Sequence, residues 1–377
     1  MNPNHGASKV VTQAPKKVNI ADIESGLGLL WSQFNQANSD GHTVVMRACM
    51  SNLIIYCDTP QEADIISQEI AAIVDVHPAR ILLLLGNGKP SESNMAAQIA
   101  IYYTALDDGW QVCAERIDVI STAALVERLP SITRALLVGD LPTTLWWASQ
   151  RPPPMAGEMF FQLAELANQI IYDNVGWINP AQGVAAMTRW VAAQQNIQIV
   201  HNLAWRRFAG WRKLISQVLD PQAEPSALES LHTIEIAHGP HALPMTWLLT
   251  GWLANQLKWQ AIDGKRLSDS ELVWRFRHNN HDIKVHVTRL PKGDPLIYQL
   301  LFDWGKPERP GRICFKRLDN ERIGISEELS TVPPRVFTAH VPERSTLVSA
   351  QLAQRNRDKI FENALKASNA MTTVFQQ

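Results

Sequence analysis

Four stretches carry the residue types that could do chemistry. Gly86-Asn87-Gly88-Lys89-Pro90 follows an apolar run, a place where glycines and a lysine could cradle a phosphate. It departs from the phosphate-loop pattern G-x-x-x-x-G-K-[ST], because the spacing is absent and proline stands where the hydroxyl should be. A plain turn accounts for it as well. Gly26-Leu27-Gly28 lies inside a helical pattern and lacks a third glycine, so it is no dinucleotide fingerprint. His238 with His241, and His278, His281 and His286, tempt a metal assignment, but no HExxH or cysteine pair completes a ligand set. Trp205-Arg206-Arg207-Phe208-Ala209-Gly210-Trp211-Arg212-Lys213 interleaves rings and cations as a nucleic-acid or acidic-partner surface would. The same residues, at steps of three and four, suit an amphipathic helix whose rings face a core. No G-x-S-x-G elbow and no assignable carboxylate pair is present.

The elements that must position these residues follow from periodicity. Residues 1–19 are polar and are expected to form a disordered tail, after which Ile23, Leu27, Leu30, Trp31 and Phe34 recur at helical spacing. Thr43 to Cys57 reads as extended chain, with a break near Ser51-Asn52 left open. Thr59-Pro60-Gln61-Glu62 is a capping box with proline at the first helical position. Arg80 to Leu85 is continuously apolar beyond its first residue, like a strand covered on both faces. Strand, helix, strand in that order predicts a parallel βαβ unit. Strands are expected over 95–104, 112–120 and 143–147, and Arg151-Pro152-Pro153-Pro154 marks the expected boundary near 155.

Beyond it, helices and strands alternate to Val218, a helix covers Pro244 to Trp259, and three or four antiparallel strands follow between Glu271 and Arg317. A helix over Thr346 to Ala367 closes the chain. The expected class is α/β to α+β in two domains, 20–155 and 156–377. Each holds a mixed sheet flanked by helices, with antiparallel strands in the C-terminal part.

Composition narrows the function classes. The chain has 377 residues, and its 46% hydrophobic and 19% charged fractions are those of folded domains. A net charge of -1 supplies no field to gather nucleic acid or anionic lipid. The apolar runs are far shorter than the roughly 20 residues a membrane helix needs, and Met1 to Lys17 has no apolar signal core, so a cytoplasmic location is expected. Cys49, Cys57, Cys113 and Cys314 have no CxxC spacing and read as reduced, packed thiols. The 13 tryptophans are an unusual number, suggesting that some rings serve an interface.

Leu141-Pro142-Thr143-Thr144-Leu145-Trp146-Trp147 is an uncommon string. Together with His77-Pro78-Ala79-Arg80, Gln111-Val112-Cys113-Ala114-Glu115-Arg116-Ile117 and Gln351-Leu352-Ala353-Gln354-Arg355-Asn356-Arg357-Asp358, it resembles the OpcA family of glucose-6-phosphate dehydrogenase assembly proteins. The similarity runs from about Val44 to Leu365. It implies a two-domain, non-catalytic protein, best known in cyanobacteria, that binds glucose-6-phosphate dehydrogenase, promotes its active oligomer and activates it. That enzyme feeds the oxidative pentose phosphate pathway and makes NADPH. No cofactor is implied. The competing expectation is an α/β sugar-phosphate- or nucleotide-binding enzyme using the Gly86, Gly88 and Lys89 turn.

For the partner surface, Trp146, Trp147 and Arg151 are the candidates: two adjacent rings of an extended chain point to opposite faces, so one is expected in the core and one available. The resemblance also implies redox control for some members, with thioredoxin as a possible partner and Cys49, Cys57, Cys113 and Cys314 as candidate thiols. If 43–57 were one strand, Cys49 and Cys57 would lie roughly 26 Å apart, beyond the reach of a disulfide.

Overall fold

The computed structural model describes residues 10–12, 14–37, 45–47, 49–88, 95–105, 111–194, 198–219, 228–306, 309–327 and 333–375. In chain order its first half holds β1 (Val11–Thr12), β2 (Lys16–Val18), α1 (Ile23–Ala37), β3 (Val45–Arg47), β4 (Ser51–Cys57), α2 (Pro60–Val76), β5 (Ala79–Leu85), β6 (Met95–Ala105) and β7 (Gln111–Ser121). Then come α3 (Leu129–Leu136), β8 (Thr143–Trp147), α4 (Glu158–Glu165), β9 (Gln169–Tyr172), α5 (Pro180–Ala193), β10 (Ile199–Asn202), α6 (Leu203–Arg207) and α7 (Ala209–Val218). All strands named so far join one sheet, ordered β1-β6-β7-β5-β4-β8-β9-β10, with β2 also on β6 and β3 also on β7.

Every residue of β4 and of β5 is buried, because both faces of the sheet are covered. α1 lays Ile23, Leu27, Leu30 and Phe34 into the core on one side, and α2 lays Ile66, Ile70 and Ile73 into a separate cluster on the other. Besides the short β3, which is parallel to β7, six strands run parallel: β4, β5, β7, β8, β9 and β10. Taken as first to sixth along the chain, they stand in the spatial order third, second, first, fourth, fifth, sixth. That is the doubly wound dinucleotide-binding order, with its switch point between β4 and β8.

The second half holds β11 (Leu231–His238), α8 (Leu243–Gln256), β12 (Gln260–Arg266), β13 (Glu271–His278), β14 (His281–Arg289), β15 (Ile297–Lys306), β16 (Arg309–Arg317), β17 (Arg322–Glu327) and β18 (Arg335–Thr338). The chain ends with α9 (Arg344–Ala353) and α10 (Lys359–Ser368). Its sheet runs β12-β13-β14-β11-β15-β16-β17-β18, antiparallel except for the parallel pair β11 and β14. Two mixed sheets flanked by helices therefore make an α/β chain, as expected. Alternation along β13 and β14 puts Leu272, Trp274, Phe276, Ile283, Val285 and Val287 on the covered face. α8 is apolar on every side and is buried nearly throughout, as such a helix must be.

Several expectations are corrected. The supposed tail contributes β1 and β2 to the edge of β6. The break left open near Ser51-Asn52 falls before Ser51, since β3 pairs with β7 while β4 lies between β5 and β8. The boundary near 155 is crossed by the first sheet, because β9 and β10 pair in register beyond β8. The prolines there turn the chain into a short 3-10 helix, Pro153–Ala156, and do not end the domain. β11 went unforeseen, because a bulge between Leu231 and Thr233 breaks the two-residue period. The closing helix is two, split where Asp358 caps α10 through the Phe361 amide. Of these, α9 returns to the first sheet, where Leu347, Val348 and Leu352 pack with the α2 cluster and the Arg344 guanidinium binds Glu69 at 2.9 Å. Among the described residues no helix is long and apolar enough to cross a membrane.

Candidate functional site

In a doubly wound sheet ligands bind where the strand order reverses, outside the carboxyl ends of the strands. Here that point is the crevice between the turn after β4 and the turn after β8. The β4 turn runs Asp58-Thr59-Pro60-Gln61-Glu62, with side chains where a dinucleotide fold carries glycines. Thr59 Oγ1 accepts from the Glu62 amide at 3.2 Å, and Glu62 Oε2 accepts from the amides of Asp58 and Thr59 at 3.0 and 3.2 Å. The start of α2, with its positive dipole end and spare N–H groups, is thus answered by the chain's own carboxylate. Asp58 adds a second carboxylate, accepting from the Tyr56 hydroxyl at 2.8 Å and from the Ser149 hydroxyl after β8. Ser149 Oγ in turn accepts from the Arg151 amide at 2.9 Å.

This arrangement repels what the fold's geometry would otherwise invite. A dinucleotide pyrophosphate would have to sit at the head of α2, where Glu62 and Asp58 already lie. Burial, with these two carboxylates, pushes the Cys57 thiol well above its usual range, so it is no nucleophile at neutral pH. Burial likewise pushes the Tyr56 phenol up, with Asp58 reinforcing the shift. The Gly86 turn offers no cradle either. Its amides are spent on Cys57 O and Ser121 O, at 2.9 and 2.7 Å. A Cβ on Gly86 would run into the Tyr56 hydroxyl and one on Gly88 into Ile120, so both glycines serve close packing. Lys89 lies outside the described residues.

The strings singled out in the sequence turn out to lock the fold. Arg80 and Glu115 face each other across β5 and β7 and join at 2.8 Å, fully enclosed; Glu115 also accepts from Trp31 Nε1 at 2.7 Å. Arg116 grips Asp118 with two bonds, of 2.6 and 2.9 Å. Gln169 Nε2 donates to Gln351 O at 2.7 Å, so the C-terminal string is tied to the end of β9. Trp146 and Trp147 are both core, at 1% and 0% exposure, which corrects the expectation of one available ring. The reason is that both faces of β8 are covered. Trp146 lies in the α2 cluster, while Trp147 stacks on Tyr56 at 4.3 Å and donates to Arg151 O at 2.7 Å. Of the three candidates only Arg151 is exposed. More widely, eleven of the twelve described tryptophans are buried, so the excess builds core.

The sequence profile described as glucose-6-phosphate dehydrogenase subunit N-terminal domain matches residues 70–189, and the one described as its C-terminal domain matches residues 198–365. The chain belongs to the OpcA family. Relatives named OxPP cycle protein OpcA are similar to it: that of Nostoc punctiforme is 27% identical over 77% of this chain, and that of Synechocystis sp. is 26% identical over 75%. The chain spans 64% and 60% of the length of those two OpcA relatives. Among solved structures, the super-repressor mutant of Gal80p from Saccharomyces cerevisiae aligns with 86% of this chain and 96% of its own, at a TM-score of 0.51 and 8% identity. That likeness is one of fold. Biliverdin reductase from Synechocystis sp. aligns over 86% of this chain and 98% of its own, at a TM-score of 0.46 and 11% identity.

The candidate redox thiols of this OpcA-family chain are scattered. Cys57 ends β4, buried, with its thiol on Leu84 O at 3.7 Å. Cys49 precedes β4, so that strand of roughly 20 Å separates the two. Cys113 lies on β7 opposite Arg47 and Tyr103, and Cys314 lies on β16 in the other sheet. The histidines are likewise dispersed: His238 Nδ1 meets Gly239 O at 2.6 Å, and His278 and His281 flank a hairpin turn. Among the described residues no three His, Cys, Asp or Glu side chains converge as metal ligands would.

The residues that sequence reasoning missed are Asp58 and Ser149. An acid wedged between a strand end and a capping box was the signal available for Asp58; nothing local marks Ser149.

Proposed function

We propose that this chain is a non-catalytic regulatory partner of glucose-6-phosphate dehydrogenase, which it binds, helps into its active oligomer and activates. The single observation that carries the non-catalytic part is the acid-filled head of α2. A dinucleotide-type sheet has its phosphate position taken by Glu62 and Asp58, and its turn glycines are consumed by packing. Membership of a family whose profiles are described as dehydrogenase subunit domains supports the choice of partner. Binding of this kind acts by differential affinity: a partner that prefers the active oligomer shifts the dehydrogenase toward it. Arg151, exposed beside a stiff proline run, suits a contact with that partner, because such an anchor loses little freedom on binding.

The test has two arms. Titrating the purified chain with NADP+ and with glucose 6-phosphate in a calorimeter should give no heat of specific binding. Adding it in stoichiometric amount to a cognate glucose-6-phosphate dehydrogenase should raise the rate at subsaturating substrate and increase the oligomer mass in sedimentation. Tight NADP+ binding by the chain alone, or a dehydrogenase unchanged in both rate and mass, overturns the proposal.

A further inference from the structure

A second concavity, sharing no wall residue with the switch point, lies where α7, α8 and the start of α10 meet. Its volume is about 570 Å³, within the range of small-molecule sites, and its wall is mostly apolar. Trp205, Ile215, Trp252 and Leu253 supply the apolar wall, and Arg212, Lys213 and Asp358 supply the charges. This is the ring-and-cation string of the sequence, now folded. Its aromatics Trp205, Phe208 and Trp211 are buried, which leaves no ring stripe for stacking bases.

The charges do not balance. Among the described residues Asp358 is the one carboxylate of the wall, and it is already engaged: it accepts from Trp205 Nε1 at 2.9 Å, caps α10 through the Phe361 amide at 2.9 Å, and stands 3.6 Å from Arg206. Arg212 lies over the Trp205 ring, its Cζ 3.4 Å from the ring centroid, and its one hydrogen bond among the described residues runs from Nη1 to Trp205 O at 2.6 Å. No carboxylate lies within bonding distance of it among those residues. Burial, with the neighbouring Arg206, brings its pKa down to about 10, and Asp358 offsets this only in part. A planar guanidinium held over a ring, with donors to spare, is the group best shaped for a carboxylate or phosphate. Lys213 adds a second cation at the same wall.

We infer that this cavity binds a small amphipathic anion, an apolar body with one carboxylate or phosphate head, the head held by Arg212 and Lys213 and the body lying against Trp252 and Leu253. The inference goes beyond the role proposed above and its test reads binding directly, without the dehydrogenase.

The probes are 8-anilinonaphthalene-1-sulfonate and its uncharged counterpart N-phenyl-1-naphthylamine, followed by their own fluorescence and by energy transfer from tryptophan. The native chain should bind the anion about tenfold or more tighter than the neutral probe, the advantage of a charge-assisted bond. Arg212→Met should erase that advantage and leave the neutral probe's affinity unchanged. Ser216→Trp, at an exposed position of the wall, should exclude both probes without lowering the thermal midpoint. Lys213→Met, at an exposed lysine, decides the charge question if Arg212→Met does not fold. Octanoate and octyl phosphate then distinguish the head groups, and displacement of the bound anion by either one supports the site. Equal binding of the two probes, unaltered binding of the anion by the Arg212 and Lys213 variants, or displacement by neither competitor overturns it.

Discussion

The crevice after β4 and the cavity under α7 are built from the same materials, a helix, aromatic rings and charged groups, yet they are opposite in state. In the crevice the charge that a ligand would bring is already supplied by the chain, as Glu62 and Asp58. In the cavity the chain supplies cations, and the only wall carboxylate among the described residues is committed elsewhere. Fold position therefore does not locate the ligand site: the switch point is the place a doubly wound sheet offers, but occupancy depends on which partner the electrostatics leave wanting.

Four measurements break or sharpen this contrast. The largest effect is expected at Trp147, whose ring fills the space between Tyr56 and Phe160 beside the crevice. Trp147→Ala should cost about 3–5 kcal/mol in urea unfolding. A variant of native stability that fails only to bind the dehydrogenase would return the ring to the interface and reopen the crevice as a site.

His201 comes next, because it ties β10 to the C-terminal string through Gln354 O at 3.1 Å. Burial is the main cause that holds its imidazole down to about 4, from an ordinary 6.5. The unfolded chain therefore takes up this proton first, so the stabilisation is intact above about pH 6.5 and is lost as the pH falls toward 4. Between pH 7.5 and 4.5 the native chain should lose on the order of 2–3 kcal/mol more than His201→Gln. Equal losses would mean that the imidazole is solvated.

Glu62→Ala removes half of the capping box and should cost about 1 kcal/mol. Its sharper use is as a probe of vacancy: if NADP+ then bound, the acid alone had kept the dinucleotide out. The smallest stability effect belongs to Arg151→Ala, within about 0.5 kcal/mol, since the side chain is exposed. Weakened association with glucose-6-phosphate dehydrogenase in that variant supports its place in the contact, and unchanged association removes it.

Much of this was legible along the chain, for local reasons. The capping box before α2, the apolar run of β5 after Arg80, the parallel βαβ order and the antiparallel strands of the C-terminal part follow from short-range periodicity and turn chemistry. The strings that carry the OpcA resemblance are also visible as residue types: Arg80, Glu115, Trp147 and Asp358 are all there to be read. What they do was not. Arg80 meets Glu115 only because two strands 35 positions apart pair in one register. Trp147 is buried because β8 lies inside a sheet with both faces covered, a matter of strand order that no periodicity states. The cavity under α7 needs Trp205 and Asp358 together, 153 positions apart, and its cationic excess exists only once Asp358 has been drawn off to cap α10. Local order is set by interactions within a turn or two of chain, whereas burial and charge balance are sums over neighbours that long-range packing alone brings together.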